Sequence, residues 1–339
     1  MKMHEKLIVV DGHSDYPLQI LRERLKGKTH IIENQHLPRL RAGGIKLEVA
    51  TVGADVVLDN LDFREPQNVL RVFDCIYKEI EESSGSIRLV LEKNDLNDLE
   101  DEGKLFMLLN LEGAASIGED LSLLHNFYRL GLRSLSLTHN ERNILADGCG
   151  EDSYSGLSKH GKALIKEVNK LSIMVDLVHI NERGFFDVLE LIEKPVVVSH
   201  SNVRKLCDCF RNLTDEQIKA VAERGGVVGL NFLCFMVDED LNKATLERLL
   251  DHVDYIAQLC GIEHVGLGPD FTDYFKELFE AYLEQHGLPL DITKYVEGAS
   301  DATGMLKIGE GLSTRGYKDS EIKKVMGENF LRVYKQVLP

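Results

Sequence analysis

Positive charge is scarce in this chain of 339 residues. Lys and Arg together number 40 against 56 Asp and Glu, which leaves a formal charge of −16 at pH 7. A surface of this sign repels phosphate backbones and anionic headgroups, so we expect neither nucleic-acid binding nor attachment to an acidic membrane. Long apolar runs are also missing. The longest mostly apolar stretch, Val227 to Val237, is far shorter than the roughly 18 residues of a membrane span.

Cysteine is infrequent, with six residues scattered along the chain. Cys207 and Cys209 are too close together for a C-x-x-C motif, and nothing pairs with them at metal-site spacing. The first ten residues, MKMHEKLIVV, contain an apolar run of only four residues, which is too short for the core of a secretory signal. We therefore expect reduced thiols and a cytoplasmic location.

No linker rich in Pro, Gly or Ser, no repeat and no low-complexity segment interrupts the chain, so we predict one domain over residues 1–339. Eight short runs rich in Leu and β-branched residues recur along it, without the clean alternation of a half-exposed sheet. A ninth, minor strand is predicted at Arg88 to Leu91. The eight main predicted strands are Leu7–Val10, Ile45–Val52, Leu105–Leu111, Leu132–Leu137, Ile173–Val178, Pro195–Ser199, Gly226–Phe232 and His264–Gly268.

Helical patterns occupy the intervals between these strands. Thr214 followed by Gln217 is typical of a helix start, and Gly261 is a natural helix stop. The predicted helices are Arg64–Glu82, Leu121–Arg129, Ser158–Leu171, Asn181–Leu191, Thr214–Arg224 and Ala244–Cys260. Eight alternations of strand and helix indicate an α/β fold, a (β/α)8 barrel of the TIM type. The tail from Ser300 to Pro339 predicts a C-terminal helical extension.

Ionisable side chains follow six of the predicted strands, where each strand ends. A barrel of this kind has its active site at the C-terminal ends of its strands. The other eight histidines do not share this placement; His264, for example, begins its strand. Each residue of the set could separately be a loop cap or a hydrogen-bonded structural group, but their joint placement indicates a site. The set is His13, Asp15, Glu112, His139, His179, His200 and Asp270.

The residue types in this set indicate a divalent metal. Neutral imidazoles and carboxylates suit zinc or a similar ion, and the lack of cysteine argues against an iron–sulfur cluster or structural zinc. Three of these His, one Asp and the Glu already exceed what one catalytic metal needs, so two metals bridged by Glu112 fit better. Motifs for other chemistry are missing, since the chain has neither G-x-x-x-x-G-K-S/T nor G-x-S-x-G.

The ordered motifs resemble the membrane (renal) dipeptidase family of the amidohydrolase-type barrels. The likeness runs from about Val9 to Asn329. Most barrels of the wider group open with HxH, whereas Asp15 stands at the third position here, as in the dipeptidase branch. No single motif is specific, but the ordered set is. The motifs are DGHSD, LEGA, LTHN, DLVHIN, VVVSHSN and GLGPDF.

The resemblance implies a metal-dependent dipeptidase that holds two zinc ions, bridged by Glu112 and a water molecule. His13 and Asp15 would complete the ligands of one zinc. His179 and His200 would complete those of the other. It also implies a dipeptide substrate, tolerance of a D-residue at its C-terminal position, and a possible homodimer.

Further roles in catalysis and substrate binding follow from the same resemblance. His139 would contact the scissile carbonyl and steady the developing oxyanion. Asp270 would act as acid and base on the nucleophilic water and the leaving amine. Arg211 would bind the terminal carboxylate of the substrate, a task that suits a guanidinium fork. Arg204 is the competing candidate, and a surface position is the structural alternative for Arg211.

One departure from the family pattern concerns the surroundings of Asp270. The family commonly has Gly or Ser before this Asp and an Asp-Gly pair soon after, whereas Pro269 precedes it here and Phe271-Thr272-Asp273-Tyr274 follows. Because Pro restricts φ and lacks an N–H, we expect an effect on the loop and on substrate preference. Two alternatives stay open: another amidohydrolase-type enzyme, such as a lactonase, a deaminase or a hydrolase of N-acyl amino acids, and a barrel that has lost activity.

Overall fold

The computed structural model describes residues 7–101, 103–278 and 292–339. Its centre is a nearly closed barrel of eight parallel strands. The strands in chain order are β1 (Val9–Ser14), β2 (Ile45–Ala54), β3 (Val57–Leu58), β4 (Leu61–Asp62), β5 (Ile87–Leu89), β6 (Leu105–Glu112), β7 (Leu132–Ser136), β8 (Met174–Asp176), β9 (Val197–Val198), β10 (Val227–Leu230) and β11 (Val265–Leu267). Hydrogen bonds join the barrel strands in the order β1-β2-β6-β7-β8-β9-β10-β11. The predicted (β/α)8 fold is confirmed.

The ends of the strand path also approach each other. A Cβ atom added at Gly12 of β1 would lie 2.9 Å from the carbonyl oxygen of Leu267 in β11. The remaining strands lie outside the barrel path. Strands β3 and β4 form a short antiparallel hairpin, and β5 pairs in parallel with the N-terminal half of β6. The minor strand predicted near Arg88 is therefore present.

Helices connect the strands and surround the barrel. They are α1 (Tyr16–Leu25), α2 (Leu37–Ala42), α3 (Pro66–Glu82), α4 (Leu121–Arg129), α5 (Lys159–Leu171), α6 (Glu182–Leu191), α7 (Asp215–Glu223), α8 (Cys234–Val237), α9 (Leu246–Cys260), α10 (Leu306–Thr314), α11 (Asp319–Lys323) and α12 (Asn329–Val337). The sequence did not predict α1, or the short helices α2 and α8. Among the described helices, none is long and apolar enough to cross a bilayer.

All eight main strands differ from their predicted bounds by one or more residues, and two of the differences have a clear physical reason. β1 extends to Ser14 and includes His13, because the polar residues after Val10 still pair with β2. β9 is shorter than predicted. Pro195 has no N–H to donate, and the N–H of Ser199 donates to Asp176 Oδ1 at 2.9 Å instead of continuing the ladder.

The N-terminal end of the barrel is closed by apolar packing. Phe330 of α12 is fully buried and belongs to a cluster with the interior residues Val10, Phe106 and Val227. A Cβ atom added at Gly266 would lie 2.5 Å from the Phe330 ring, so the glycine leaves room for that ring. The polar side chains of the barrel interior can therefore be concentrated at the opposite end.

We expect Phe330→Ala to destabilise the protein by about 3–5 kcal/mol, because it leaves a cavity in the closed end of the barrel. Urea unfolding followed by circular dichroism would measure this change. Tyr154→Ala is the control, since Tyr154 is 96% exposed and we expect a change within about 0.5 kcal/mol. Equal stabilities of the two variants would contradict the packing role of Phe330.

Candidate metal centre

The side chains of the predicted set converge at the C-terminal end of the barrel, around the carboxylate of Glu112. Glu112 Oε1 lies 2.9 Å from His179 Nε2, 3.4 Å from His13 Nε2 and 3.5 Å from His200 Nε2. Residues from β1, β6 and the segments after β8 and β9 therefore meet at one oxygen atom. They meet because the C-terminal ends of parallel barrel strands share one rim.

Among the described residues, three groups of donors could each hold a metal ion, with ligand atoms within 4.8 Å of one another. Glu112 belongs to two of these groups, so one carboxylate lies between two neighbouring donor sets. These two groups have the composition that the family resemblance implies. The groups are His13, Asp15 and Glu112; Glu112, His179 and His200; and His13, His200 and Asp270.

Buried polar atoms without partners lie in the same cluster. Both ring nitrogens of His13 and Oδ1 of Asp15 are buried and make no hydrogen bond to any described residue. A buried group without a hydrogen bond costs about 1–3 kcal/mol, a cost that is offset in part here because His13 Nε2 lies 3.4 Å from both Asp15 Oδ1 and Glu112 Oε1. His179 Nε2 and His200 Nε2 lie only 3.0 Å apart. Nitrogen and oxygen donors in this arrangement fit a divalent cation such as zinc.

The pKa shifts divide the cluster into groups that favour added positive charge, Glu112 and His13, and imidazoles that stay neutral, His179 and His200. Burial, and then the charge of Asp15, raise the pKa of Glu112 well above its ordinary value. Burial lowers the pKa of His13, but the charges of Glu112 and Asp15 outweigh it and raise that pKa well above the ordinary range. Burial lowers the pKa of His179 and of His200 well below the usual value. These two imidazoles are therefore neutral, as metal ligands must be.

Hydrogen bonds behind the cluster orient its imidazoles. His179 Nδ1 donates to Asn140 Oδ1 at 2.8 Å, which leaves the Nε2 lone pair facing the cluster. His200 Nδ1 lies 2.9 Å from Ser199 Oγ. Asp176 Oδ1 accepts from the backbone N–H of Ser199. Sequence reasoning missed Asn140 and Asp176, although they lie in the motifs LTHN and DLVHIN.

Backbone strain is found at two residues of the site. His179 has φ of 65° and Asp270 has φ of 60°, in the left-handed region that residues other than glycine rarely adopt. Tyr295 Oη donates to the carbonyl oxygen of Asp270 at 2.6 Å, and Asn231 Nδ2 donates to Asp270 Oδ2 at 3.0 Å. These contacts hold the strained segment, and the sequence contained no signal for Tyr295.

Asp270 faces the cluster even though Pro269 precedes it. Its Oδ1 lies 3.8 Å from His13 Nε2. Burial raises the pKa of Asp270 to about 6, although the neighbouring charge of His13 opposes this rise. A carboxyl group with such a pKa can exchange a proton near neutral pH.

His139 and Arg211 lie beside the cluster. The His139 ring stacks on the His179 ring with a centroid distance of 4.2 Å. Burial, and then the charge of Arg211, lower the pKa of His139 to about 3, so its ring is neutral. Arg211 is only 7% exposed, and its Nη2 lies 3.0 Å from His179 Nε2. The surface position considered for Arg211 is therefore wrong.

A cavity of about 850 Å³ opens beside His179. Its volume is in the range of small-molecule sites, about 300–1,000 Å³. Arg211 and Arg204 both line it, together with Cys149 and Phe210. The cluster therefore adjoins a space large enough for a small peptide.

Imidazoles and carboxylates at the C-terminal rim of a barrel define the class of this protein, a metal-dependent hydrolase. The model of the membrane dipeptidase family, peptidase family M19, matches residues 1–284. The chain belongs to this family. The prediction of a metal-dependent dipeptidase is confirmed.

The names of individual relatives agree with this family assignment. Dipeptidase tcpJ of Claviceps purpurea is 26% identical, over 96% of this chain and 76% of its own. A metallopeptidase of Rhodobacter sphaeroides, solved with a phosphinate mimic of the dipeptide L-Ala-D-Ala, is 26% identical with a TM-score of 0.83, covering 98% of this chain and 99% of its own. Dipeptidase AC, of family M19, is 27% identical with a TM-score of 0.82, covering 98% and 99%.

We expect Asn140→Ala to weaken zinc binding about 10- to 100-fold, because His179 loses the acceptor that orients its ring. Competition with a chromogenic chelator would measure the affinity. Asn140→Asp is the matched variant, since it keeps an acceptor oxygen and should stay close to the parent. Unchanged zinc affinity in the alanine variant would contradict the orienting role of Asn140.

Proposed function

We propose that this protein hydrolyses dipeptides with two zinc ions, and that its substrates include dipeptides with a D-residue at the second position. The observation that carries the proposal is the place of Glu112 in two donor groups at once. His13 and His200 are each shared by two groups as well, but of these three shared residues Glu112 alone is a carboxylate, with two oxygens that could serve two ions.

The donor chemistry supports a division of the ligands between two ions. His13 and Asp15 with Glu112 would hold one ion, and His179 and His200 with Glu112 would hold the other. When bound, such cations polarise a carbonyl group and lower the pKa of water so that hydroxide is available near neutral pH. The unpartnered atoms of His13 and Asp15 fit this assignment.

Three residues beside the cluster have the properties that the remaining steps require. Arg211 has a buried guanidinium group beside the cluster, which would bind the terminal carboxylate of the dipeptide. The neutral ring of His139 would donate a hydrogen bond to the scissile carbonyl oxygen as negative charge develops there. Asp270 would take the proton from the attacking water and deliver it to the leaving amine.

One observation supports a dipeptide with a D-residue as substrate. The Rhodobacter sphaeroides neighbour was solved with a phosphinate mimic of L-Ala-D-Ala. The cavity beside His179, of about 850 Å³, is large enough for the C-terminal residue of a dipeptide.

The purified protein should contain two zinc ions per chain and cleave L-Ala-L-Ala and L-Ala-D-Ala. Chelation should abolish the activity, and added Zn²⁺ should restore it. We expect Glu112→Gln to bind at most one ion and to lower kcat at least about 10³-fold, because the shared ligand loses its charge. Elemental analysis and amine release from a dipeptide panel would measure both effects.

Glu263→Gln is the control for the loss of a carboxylate, because Glu263 is exposed and pairs with Lys324 at 2.7 Å. It should keep both zinc ions and full activity. A zinc-loaded protein that cleaves N-acyl amino acids or lactones but no dipeptide would overturn the proposal. So would a Glu112→Gln variant with two ions and unchanged kcat.

A further inference from the structure

A second guanidinium group shares the cavity with Arg211. Arg204 and Arg211 both line it and lie in the loop that follows β9. Hydrogen bonds to backbone carbonyls hold the two parts of this loop together. Ser201 Oγ donates to the Arg211 carbonyl at 2.8 Å, and the Arg204 N–H donates to the Leu213 carbonyl at 2.8 Å. The two arginines are therefore presented by one connected segment.

Neither Arg204 nor Arg211 is paired with a carboxylate of the described residues. Arg204 Nη2 donates to the carbonyl oxygen of Phe210 at 3.2 Å. Arg204 Nε is buried and makes no hydrogen bond to any described residue. Arg211 Nη2 contacts the imidazole of His179. Within the described parts of the chain, neither arginine forms an ion pair.

Both positive charges act on the same wall of the cavity. Cys149 lines this wall. Burial raises the pKa of the Cys149 thiol, and the charges of Arg211 and Arg204 oppose this rise. The part of the lining that contains Arg204 and Arg211 is therefore positively charged.

Most of the carboxylates that line the cavity are exposed to solvent. Asp152, Glu182 and Asp208 are exposed, and Glu151 Oε1 accepts a hydrogen bond from the Arg142 N–H at 2.8 Å. Water and salt screen exposed charges, whereas a charge inside a cavity acts through a lower dielectric. Arg211 is buried and Arg204 is half-buried, so these two arginines should select the substrate more strongly than the exposed carboxylates.

We propose that this cavity binds the C-terminal residue of a dipeptide whose side chain is acidic, Asp or Glu. The proposal rests on the proposed function, in which Arg211 binds the terminal carboxylate. Arg204 is then available to bind the side-chain carboxylate of the same residue. A guanidinium fork suits this task, because it donates two parallel N–H bonds to one carboxylate.

The test compares Ala-Glu with Ala-Gln, which have nearly the same size and differ in charge, each with an L- or D-residue at the second position. The zinc-loaded protein should show kcat/KM about tenfold higher for Ala-Glu. In Arg204→Gln we expect this preference to fall to about one. Arg183→Gln is the matched control, because Arg183 also lines the cavity but is exposed and pairs with Asp187. It should keep the preference.

Several results would overturn the proposal. One is equal kcat/KM values for Ala-Glu and Ala-Gln in the parent protein. Another is an Arg204→Gln variant that lowers both values by the same factor. A preference for Ala-Lys over Ala-Gln would assign substrate selection to the exposed carboxylates instead.

A binding measurement separates this proposal from the proposed function. If no dipeptide is cleaved, the proposed function fails, but calorimetric titration with Ala-Glu and Ala-Gln still tests the cavity. A dissociation constant about tenfold lower for Ala-Glu, lost in Arg204→Gln, would support the acidic subsite. Equal constants for the two dipeptides would overturn it, whatever the catalytic result.

Discussion

The architecture depends on a group of carboxylates and imidazoles that is buried inside the barrel. Glu112 Oε1 lies within 3.5 Å of three imidazole nitrogens, and unpartnered polar atoms lie beside it. Burying charges without compensation is costly, and removing a carboxylate from water favours its neutral form. A cation offsets this cost, so the cluster and a metal ion stabilise each other.

Packing in the rest of the barrel compensates for the cost of burying this cluster. Its N-terminal end is packed with apolar side chains around Phe330, which excludes water from that side. Its C-terminal end contains the donors and the side chains that orient them, including Asn140 behind His179. The apolar residues that stabilise the barrel and the donors that could bind a metal thus lie at opposite ends of the same strands, as in other barrels of this type.

Loops rather than strands determine how a substrate would be bound. His179 and Asp270 have strained backbones, and contacts from Tyr295 and Asn231 hold Asp270 in place. Arg211 comes from a loop and contacts His179 of the donor cluster, while the rest of that loop lines the cavity. Substrate preference can therefore change with loop residues while the donor set stays the same.

The fold and the donor set could be predicted from the sequence because both depend on local patterns. Alternating strand and helix patterns indicate the barrel, and parallel strands bring Glu112 and His200 to one rim wherever they lie along the chain. The grouping of donors was implied by the family resemblance, whereas the hydrogen bond of Tyr295 to Asp270 and the burial of Arg211 were decided by tertiary structure alone. They depend on how loops far apart in sequence pack, and residue type and spacing do not encode those distances.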